Sequence, residues 1–204
     1  MRTALRTLLT IALILVGLLI FLSLVLITIY LAQPRPANAQ SVNLKTSAIK
    51  WSGDGLKLEL QAMPLDLVRA FFLGRGFSAS DADYIAKTGC IYRSALGNNG
   101  VKPEDPAIVI ELTKWRIIGP KGPKTIQTRQ HWAKIWDTRK VSDNAKVAFY
   151  WALFPTSQNY QSSDYNWGMI SFAMPPGTRF DLEVHWRSGD VEKNKIMKNL
   201  ECGK

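Results

Sequence analysis

The alternation of apolar and polar residues is clearest in two segments of the chain. In LKLELQA, residues 56–62, leucines and a final alanine occupy every second position, with lysine, glutamate and glutamine between them. In RFDLEVHWR, residues 179–187, phenylalanine, leucine, valine and tryptophan alternate with charged residues and a histidine. Because successive side chains of a strand point to opposite faces, this pattern predicts two half-buried antiparallel strands.

Other apolar runs predict further strands. Residues 107–118 begin as a strand and lose their alternation, which indicates a bulge. Residues 125–136 fit a strand or a helix, and we favour a strand. The run KVAFYWALF, residues 146–154, is apolar on both faces and predicts a central strand. Residues 166–174 predict its neighbour, or the partner of 179–187 across the turn PPGT. The predicted fold class is mainly β, an antiparallel, Ig-like β-sandwich.

One segment departs from this pattern and predicts a helical hairpin inserted at residues 64–89. Leu65, Val68 and Phe72 have helical spacing, and two glycines in LGRG offer a stop. A second helix is predicted to begin at Ser80 and to end at Gly89, with two aspartates in its first turn. Cys90 directly follows the predicted hairpin, at the point where the predicted strands continue.

The N-terminal segment predicts a membrane anchor. The 25 residues from Leu8 to Ala32 carry no charge. As a helix they extend about 37 Å, more than the hydrocarbon core of a bilayer and far more than the apolar region of a secretory signal. We therefore predict one transmembrane helix within residues 1–32, followed by a linker at 33–42 and an exported domain at 43–204.

The alternative is a cleaved export signal. Ala37 and Ala39 supply the small residues that a signal peptidase requires. Both interpretations share an orientation, because Arg2 and Arg6 precede the apolar run and only Arg35 follows it closely. The N-terminus is predicted in the cytoplasm and the C-terminal domain in the periplasm, with the chain a single-pass protein of the cytoplasmic (inner) membrane.

Charge and cysteine content narrow the partners and the compartment. The 204-residue chain has a formal net charge of +10. Such a charge favours anionic lipid, an acidic protein or nucleic acid, or serves solubility alone, and export argues against nucleic acid. The two cysteines, Cys90 and Cys202, lack the spacing of a zinc site, so we predict one disulfide between them in an oxidising compartment; two buried thiols are the alternative.

Candidate chemistry is sparse, and no catalytic residue and no cofactor are predicted. The two histidines, His131 and His185, do not belong to a recognisable triad. With Met169 and Met174 they are weak candidates for a copper site, although the two methionines fall on opposite faces of a regular strand. In architecture alone the chain resembles the copper-delivery proteins of terminal oxidases. The paired-cysteine metal site of that family is missing here.

Aromatic residues offer two candidate surfaces for a partner. Trp132 and Trp136, two of seven tryptophans, share a face in either a helix or a strand and have basic neighbours. The loop FFLGRGF places Arg75 between Phe72 and Phe77. Both sets also fit the alternative of aromatic packing inside the domain. Trp151 and Trp186 are predicted in the core by alternation.

These patterns favour a non-catalytic, membrane-anchored accessory protein that binds a protein partner in a larger membrane or periplasmic complex. The first alternative is a periplasmic module that binds cell-wall glycan through exposed tryptophans. The second is a copper-handling accessory protein. In each case the exported domain, rather than the anchor, carries the specific contacts.

Overall fold

The computed structural model describes residues 21–23, 48–119 and 122–204. One compact unit spans Leu44–Lys204. The predicted anchor lies outside the described residues except for the short helical segment 21–23, and the predicted linker lies entirely outside them. None of the helices in the described ranges is long and apolar enough to cross a bilayer.

Sheet A contains four antiparallel strands in the order β1-β2-β3-β8. The predicted strand at 56–62 is confirmed as β2. Its three leucines are at most 1% exposed because they face the core, whereas the residues between them face outward. The strands of sheet A are β1 Ile49–Gly53, β2 Leu56–Ala62, β3 Ile91–Asn98 and β8 Tyr165–Ser171.

Sheet B has the order β6-β5-β9-β4-β7, with β10 paired along the free side of β9. The predicted strand at 179–187 is confirmed as β9. Residues 107–118 form two strands rather than one bulged strand, because a 3-10 turn at Leu112–Lys114 separates them; both pair with β9. The strands are β4 Ile108–Glu111, β5 Arg116–Gly119, β6 Gly122–Thr125, β7 Ser157–Tyr160, β9 Arg179–Ser188 and β10 Val191–Glu201.

The inner faces of the two sheets share one hydrophobic core. Leucines of β2 meet Leu182, Val184 and Trp186 of β9 there, with Trp115 and Phe172 completing the interior. The rings of Trp51 and Trp186 pack edge to face, with their centroids 5.4 Å apart. The mainly β, antiparallel two-sheet prediction is thereby confirmed, while an Ig-like strand order is not.

The predicted helical hairpin is confirmed as α1 Leu65–Leu73 and α2 Ala79–Thr88. The second helix begins one residue earlier than predicted, because Ser78 rather than Ser80 caps it. The Ser78 hydroxyl accepts a hydrogen bond from the backbone N–H of Asp81 at 3.1 Å, which satisfies one of the free donors of the first turn.

Two predicted strands are helices instead. Residues 125–136 contribute to α3, Arg129–Thr138, and residues 146–154 to α4, Asp143–Ala152. In α4 the Ser142 hydroxyl accepts from the backbone N–H of Ala145, and Ala145 and Phe149 lie one turn apart on the buried face. A capped segment with buried positions four residues apart forms a helix even when its exposed face is also apolar.

The predicted pairing of 166–174 is wrong as well. The strand β8 pairs with β3, not with β9, and its predicted neighbour at 146–154 is helical. Both sides of β9 are already occupied, one by β10 and the other by β4 and β5. The turn PPGT therefore connects sheet A to sheet B rather than closing a hairpin.

The predicted disulfide is confirmed. Cys90 and Cys202 are bonded, with their Cα atoms 5.2 Å apart. Cys90 directly precedes β3 and Cys202 directly follows β10, so the bond fastens the C-terminal end of sheet B to sheet A. Both residues are buried in the core between the sheets.

Candidate functional site

The helices cover only one half of the outer face of sheet A. Met63, Ile91 and Met169 pack there against the helices in a second hydrophobic cluster. The rows of residues further along the same face are not part of that cluster. They are Lys50–Glu59–Ala95–Trp167 and Ser52–Lys57–Gly97–Tyr165, each read across β1, β2, β3 and β8.

All residues of these two rows except Trp167 line a groove of about 490 Å³. Its floor is β3, where Ala95 and Gly97 present almost no side chain. A Cβ atom on Gly97 would lie 2.7 Å from the Cβ of Tyr165 and 2.7 Å from the carbonyl oxygen of Asp164. No side chain fits at 97 without moving β8, so the groove depends on this glycine. Tyr165 and Ser163 line one side, and Lys50, Ser52, Lys57 and Glu59 line the other.

An aromatic edge, defined as Trp151, Tyr165 and Trp167, borders this face. Their exposed fractions are 84%, 77% and 74%, whereas four of the other tryptophans are at most 2% exposed. The prediction that Trp151 belongs to the core is therefore wrong, while that for Trp186 is confirmed. Trp151 lies on the outer face of α4, opposite the buried Phe149.

The end of α4 joins the aromatic edge to β8. The backbone N–H of Phe154 donates to the carbonyl of Met169 at 2.9 Å, and the carbonyl oxygen of Ala152 lies 3.4 Å from the position of a Cβ on Gly168. Trp151 and Trp167 are the residues that precede Ala152 and Gly168. Two segments distant in sequence thus meet at this edge of sheet A, and each carries an exposed indole beside the contact.

The uncovered half of sheet A is also basic. Lys50 forms an ion pair with Glu59 at 3.2 Å, and Arg93 donates to the side-chain oxygen of Gln61. The Lys57 side chain is exposed, and its ammonium group has neither an ion pair nor a hydrogen bond within the described part of the chain. Among the side chains that line the groove, two cations, Lys50 and Lys57, therefore face one carboxylate, that of Glu59, which favours an anionic group in a ligand.

The partner surfaces predicted from the sequence are not exposed. Phe72, Phe77, Trp132 and Trp136 are at most 4% exposed and surround Phe149, and the two indoles stack at 4.8 Å. Phe72, Trp132 and Trp136 share helical spacing with the other core positions of their helices, and that face packs on sheet A. Phe77, in the loop between α1 and α2, packs its ring against Phe72 and Trp136. In this structure these four side chains belong to the core of the helices rather than to an exposed surface.

Arg75 is the one exposed member of the predicted loop surface. Its guanidinium lies 3.3 Å above the centre of the Phe71 ring and donates to the Phe71 carbonyl at 3.1 Å. The stacking and the hydrogen bond both hold the side chain against its own helix. The loop therefore presents a cation without the flanking aromatic rings on which the prediction depended.

The four weak metal candidates lie in separate surroundings. His131 is on α3 beside Gln127, and His185 is on the outer face of β9, with Nε2 3.3 Å from Glu183. Met169 belongs to the helical cluster and Met174 to the core between the sheets. Across residues 48–119 and 122–204, no group of three His, Cys, Asp or Glu side chains is placed to hold a metal ion.

The clearest pKa shifts lie in the interior, away from the groove. Burial raises the pKa of Tyr92 and of Tyr160 above the usual range of a phenol. The Tyr92 hydroxyl donates to the carbonyl of Glu201 at 2.6 Å, which ties β3 to the end of β10. Burial also lowers the pKa of Arg129, whose guanidinium donates to the Leu153 carbonyl at 2.7 Å. These groups hold segments together.

Comparison with protein-family models, curated proteins and solved structures found no match to this chain.

The signals that could have located the site from sequence are weak. Tyr165 and Trp167 alternate with Met169 and therefore share a face, and a small residue at 95 lies across from Trp167. Which part of that face remains uncovered depends on where the helices end.

Proposed function

We propose that this chain is a non-catalytic accessory protein of the cytoplasmic membrane. A transmembrane helix within residues 1–32 holds it there, and the exported β-sandwich binds a protein subunit of a larger membrane or periplasmic complex. The aromatic edge and the groove of sheet A make the specific contacts. The observation that carries the proposal is the exposure of Trp151, Tyr165 and Trp167 on one edge of an otherwise well-buried domain.

Large exposed aromatic side chains mark protein contacts for a physical reason. Tryptophan and tyrosine bury a large apolar area on binding and lose little side-chain entropy, which is why they dominate the energy of interfaces. Val147, one helical turn before Trp151, is also 53% exposed and extends the apolar surface. A protein partner would remove this surface from water.

One further feature supports the cellular setting of the proposal. The buried Cys90–Cys202 disulfide is typical of an oxidising compartment, as expected for an exported domain. A membrane helix would confine the domain near a membrane-bound partner and raise its effective concentration there. Affinity from a surface as small as the aromatic edge would then be sufficient.

Site-specific photo-crosslinking in membranes tests this proposal. A photoreactive amino acid replaces Trp167 in the full-length chain, and a second variant carries it at Lys124, which is exposed on sheet B. We expect one defined protein product from position 167, absent from position 124 and weakened by Trp151→Ala. The product is identified by mass spectrometry and its stoichiometry is measured after purification.

Other products would contradict the proposal. A crosslinked product that a muramidase degrades would favour the cell-wall glycan alternative, now with Trp151 and Trp167 in place of the buried Trp132 and Trp136. A lipid adduct would place the aromatic edge in the headgroup layer. The copper alternative has no support of its own, since its candidate ligands are dispersed.

The anchor is tested separately. Intact mass and carbonate extraction of the chain expressed in membranes distinguish the two interpretations of the N-terminus. A full-length mass in the carbonate-resistant pellet is expected for an anchor. A soluble protein beginning at Gln40 would show a cleaved signal, and the membrane-held part of the proposal would fail.

A further inference from the structure

The groove of sheet A has features that define the chemistry of its occupant. We infer that an extended, acidic segment of the partner lies in it, with apolar side chains on Tyr165 and Trp167 and carboxylates toward Lys57 and Lys50. This inference rests on the proposed function, because it names the part of the protein partner that the exposed face binds.

The shape of the groove fits an extended chain. Its floor runs along β3 past Ala95 and Gly97, and Tyr165 of β8 forms its aromatic wall. Trp167 lies next to Tyr165 on the same face of β8 and extends this wall beyond the groove. Tyr165 and Trp167 are two residues apart on one strand and therefore project from the same face about 6.6 to 6.8 Å apart. Alternate side chains of an extended peptide have the same repeat. Such a segment can place two successive apolar side chains against both rings.

The charge of the groove selects an acidic segment. Lys57 stands opposite the aromatic wall, across Gly97, and no described residue neutralises it. Lys50 has a side chain that is 71% exposed and shares its ion pair with a partly exposed Glu59. A carboxylate placed over the floor would gain an ion pair with Lys57 and lose none, whereas a lysine or arginine there would be repelled.

Both sides of the groove also provide polar groups, Ser163 beside Tyr165 and Ser52 beside the lysines. The hydroxyl groups of Ser52 and Ser163 line the groove, and neither side chain is buried. The Ser163 hydroxyl already donates to the Gly100 carbonyl at 3.0 Å and can accept from a bound chain. The Ser52 hydroxyl accepts from the Asn99 side chain and can donate to a carbonyl or carboxylate oxygen of a bound chain. Apolar contact on one wall and cationic and hydroxyl groups on the other require an occupant that alternates apolar and acidic side chains.

The probe for this inference is a phage-displayed library of random dodecapeptides, selected on the full-length chain in lipid nanodiscs. Selected peptides are synthesised, and their affinity is measured by fluorescence anisotropy. We expect enrichment of sequences in which Asp or Glu alternates with apolar residues. Their binding should weaken as salt concentration rises, because part of it is electrostatic.

Three variants of the chain separate charge from shape. Lys57→Glu should weaken the selected peptides by at least about five-fold through repulsion. Ala95→Leu, which fills the floor without changing charge, should weaken them by about ten-fold or more. Lys124→Glu makes the same charge change on sheet B and is the matched control, with an expected change within about two-fold.

The inference fails if the selected peptides are not acidic, if Lys57→Glu and Lys124→Glu have equal effects, or if no selected peptide depends on Ala95. Its failure is distinguishable from that of the proposed function. If position 167 still crosslinks to a protein while Lys57→Glu leaves that product unchanged, the partner exists and binds the aromatic edge without an acidic segment in the groove.

Discussion

Arg139 and Asp81 connect the two pairs of helices through one ion pair. The Nε atom of Arg139 lies 2.7 Å from Oδ1 of Asp81, and the Ser78 hydroxyl donates to the other carboxylate oxygen at 2.6 Å. The guanidinium also lies 4.4 Å from the centre of the Tyr84 ring. Because Asp81 is only 9% exposed, its charge depends on these partners rather than on water.

Arg139→Met should therefore lower the free energy of unfolding by about 2 kcal/mol, because it leaves a mostly buried carboxylate without its cation. Urea denaturation of the full chain measures the change. The matched control is Arg69→Met, which breaks the exposed ion pair with Asp83 and should cost about 0.5 kcal/mol. Equal losses in the two variants would contradict the role of burial.

Removal of the disulfide should have a larger effect. Cys90 and Cys202 close a loop with a sequence separation of 112, for which the chain-entropy account gives about 4 to 5 kcal/mol. The double variant Cys90→Ser, Cys202→Ser avoids an unpaired thiol. Its urea midpoint, compared with that of the oxidised wild-type chain, checks the prediction. A double variant as stable as the oxidised protein would contradict it.

The sequence predicted best those elements whose local pattern agrees with their environment. The alternation in β2 and β9 is visible because one face of each strand is buried and the other is wet. The first helical hairpin is visible because glycines follow α1 and a serine precedes α2. In these places local chemistry and tertiary packing require the same structure.

The helix α4 was missed because its exposed face is apolar. Val147 and Trp151 are 53% and 84% exposed, so the hydrophobic pattern does not distinguish them from the buried Ala145 and Phe149. Ser142, followed by Asp143, was the available signal for a helix start.

Because exposed and buried apolar residues look alike in the sequence, the candidate site could not be located from it either. Seven tryptophans are visible in the sequence, but which of them are exposed depends on how far the helices extend across sheet A. Trp132 and Trp136 have basic neighbours, which favoured a surface position, yet their helix turns both indoles inward. The segments that carry Trp151 and Trp167 meet only where the end of α4 contacts β8, which no local pattern specifies.

The exposed and buried tryptophans should respond differently to truncation. Trp132→Ala should lower the free energy of unfolding by about 3 to 5 kcal/mol, because it opens a cavity among aromatic rings. Trp167→Ala should change it by no more than about 0.5 kcal/mol. Urea denaturation of the full-length chain measures both changes. A Trp167→Ala chain as unstable as Trp132→Ala would show that the aromatic edge is structural.

Asp181, near the edge of sheet B, should make the free energy of unfolding depend on pH in the acidic range. The Lys198 ammonium donates to it at 2.8 Å and the Asn199 backbone N–H at 2.9 Å, and these hydrogen bonds, first that of Lys198, lower the pKa of the carboxyl. A carboxyl with a lowered pKa in the folded state stabilises the protein above its unfolded-state value, about 3.9. That contribution is lost as the pH falls through the folded-state pKa.

The variant Asp181→Asn isolates this contribution. The difference in unfolding free energy between wild type and variant should be constant above about pH 5 and should shrink progressively toward about pH 2. Glu104→Gln, at an exposed carboxyl without an ion pair among the described residues, is the matched control. Asn199 adopts a positive φ of 57° where the register of β10 shifts, so the Asp181 carboxylate also fixes this irregularity. If both variants had the same pH profile, the lowered pKa would not contribute to stability.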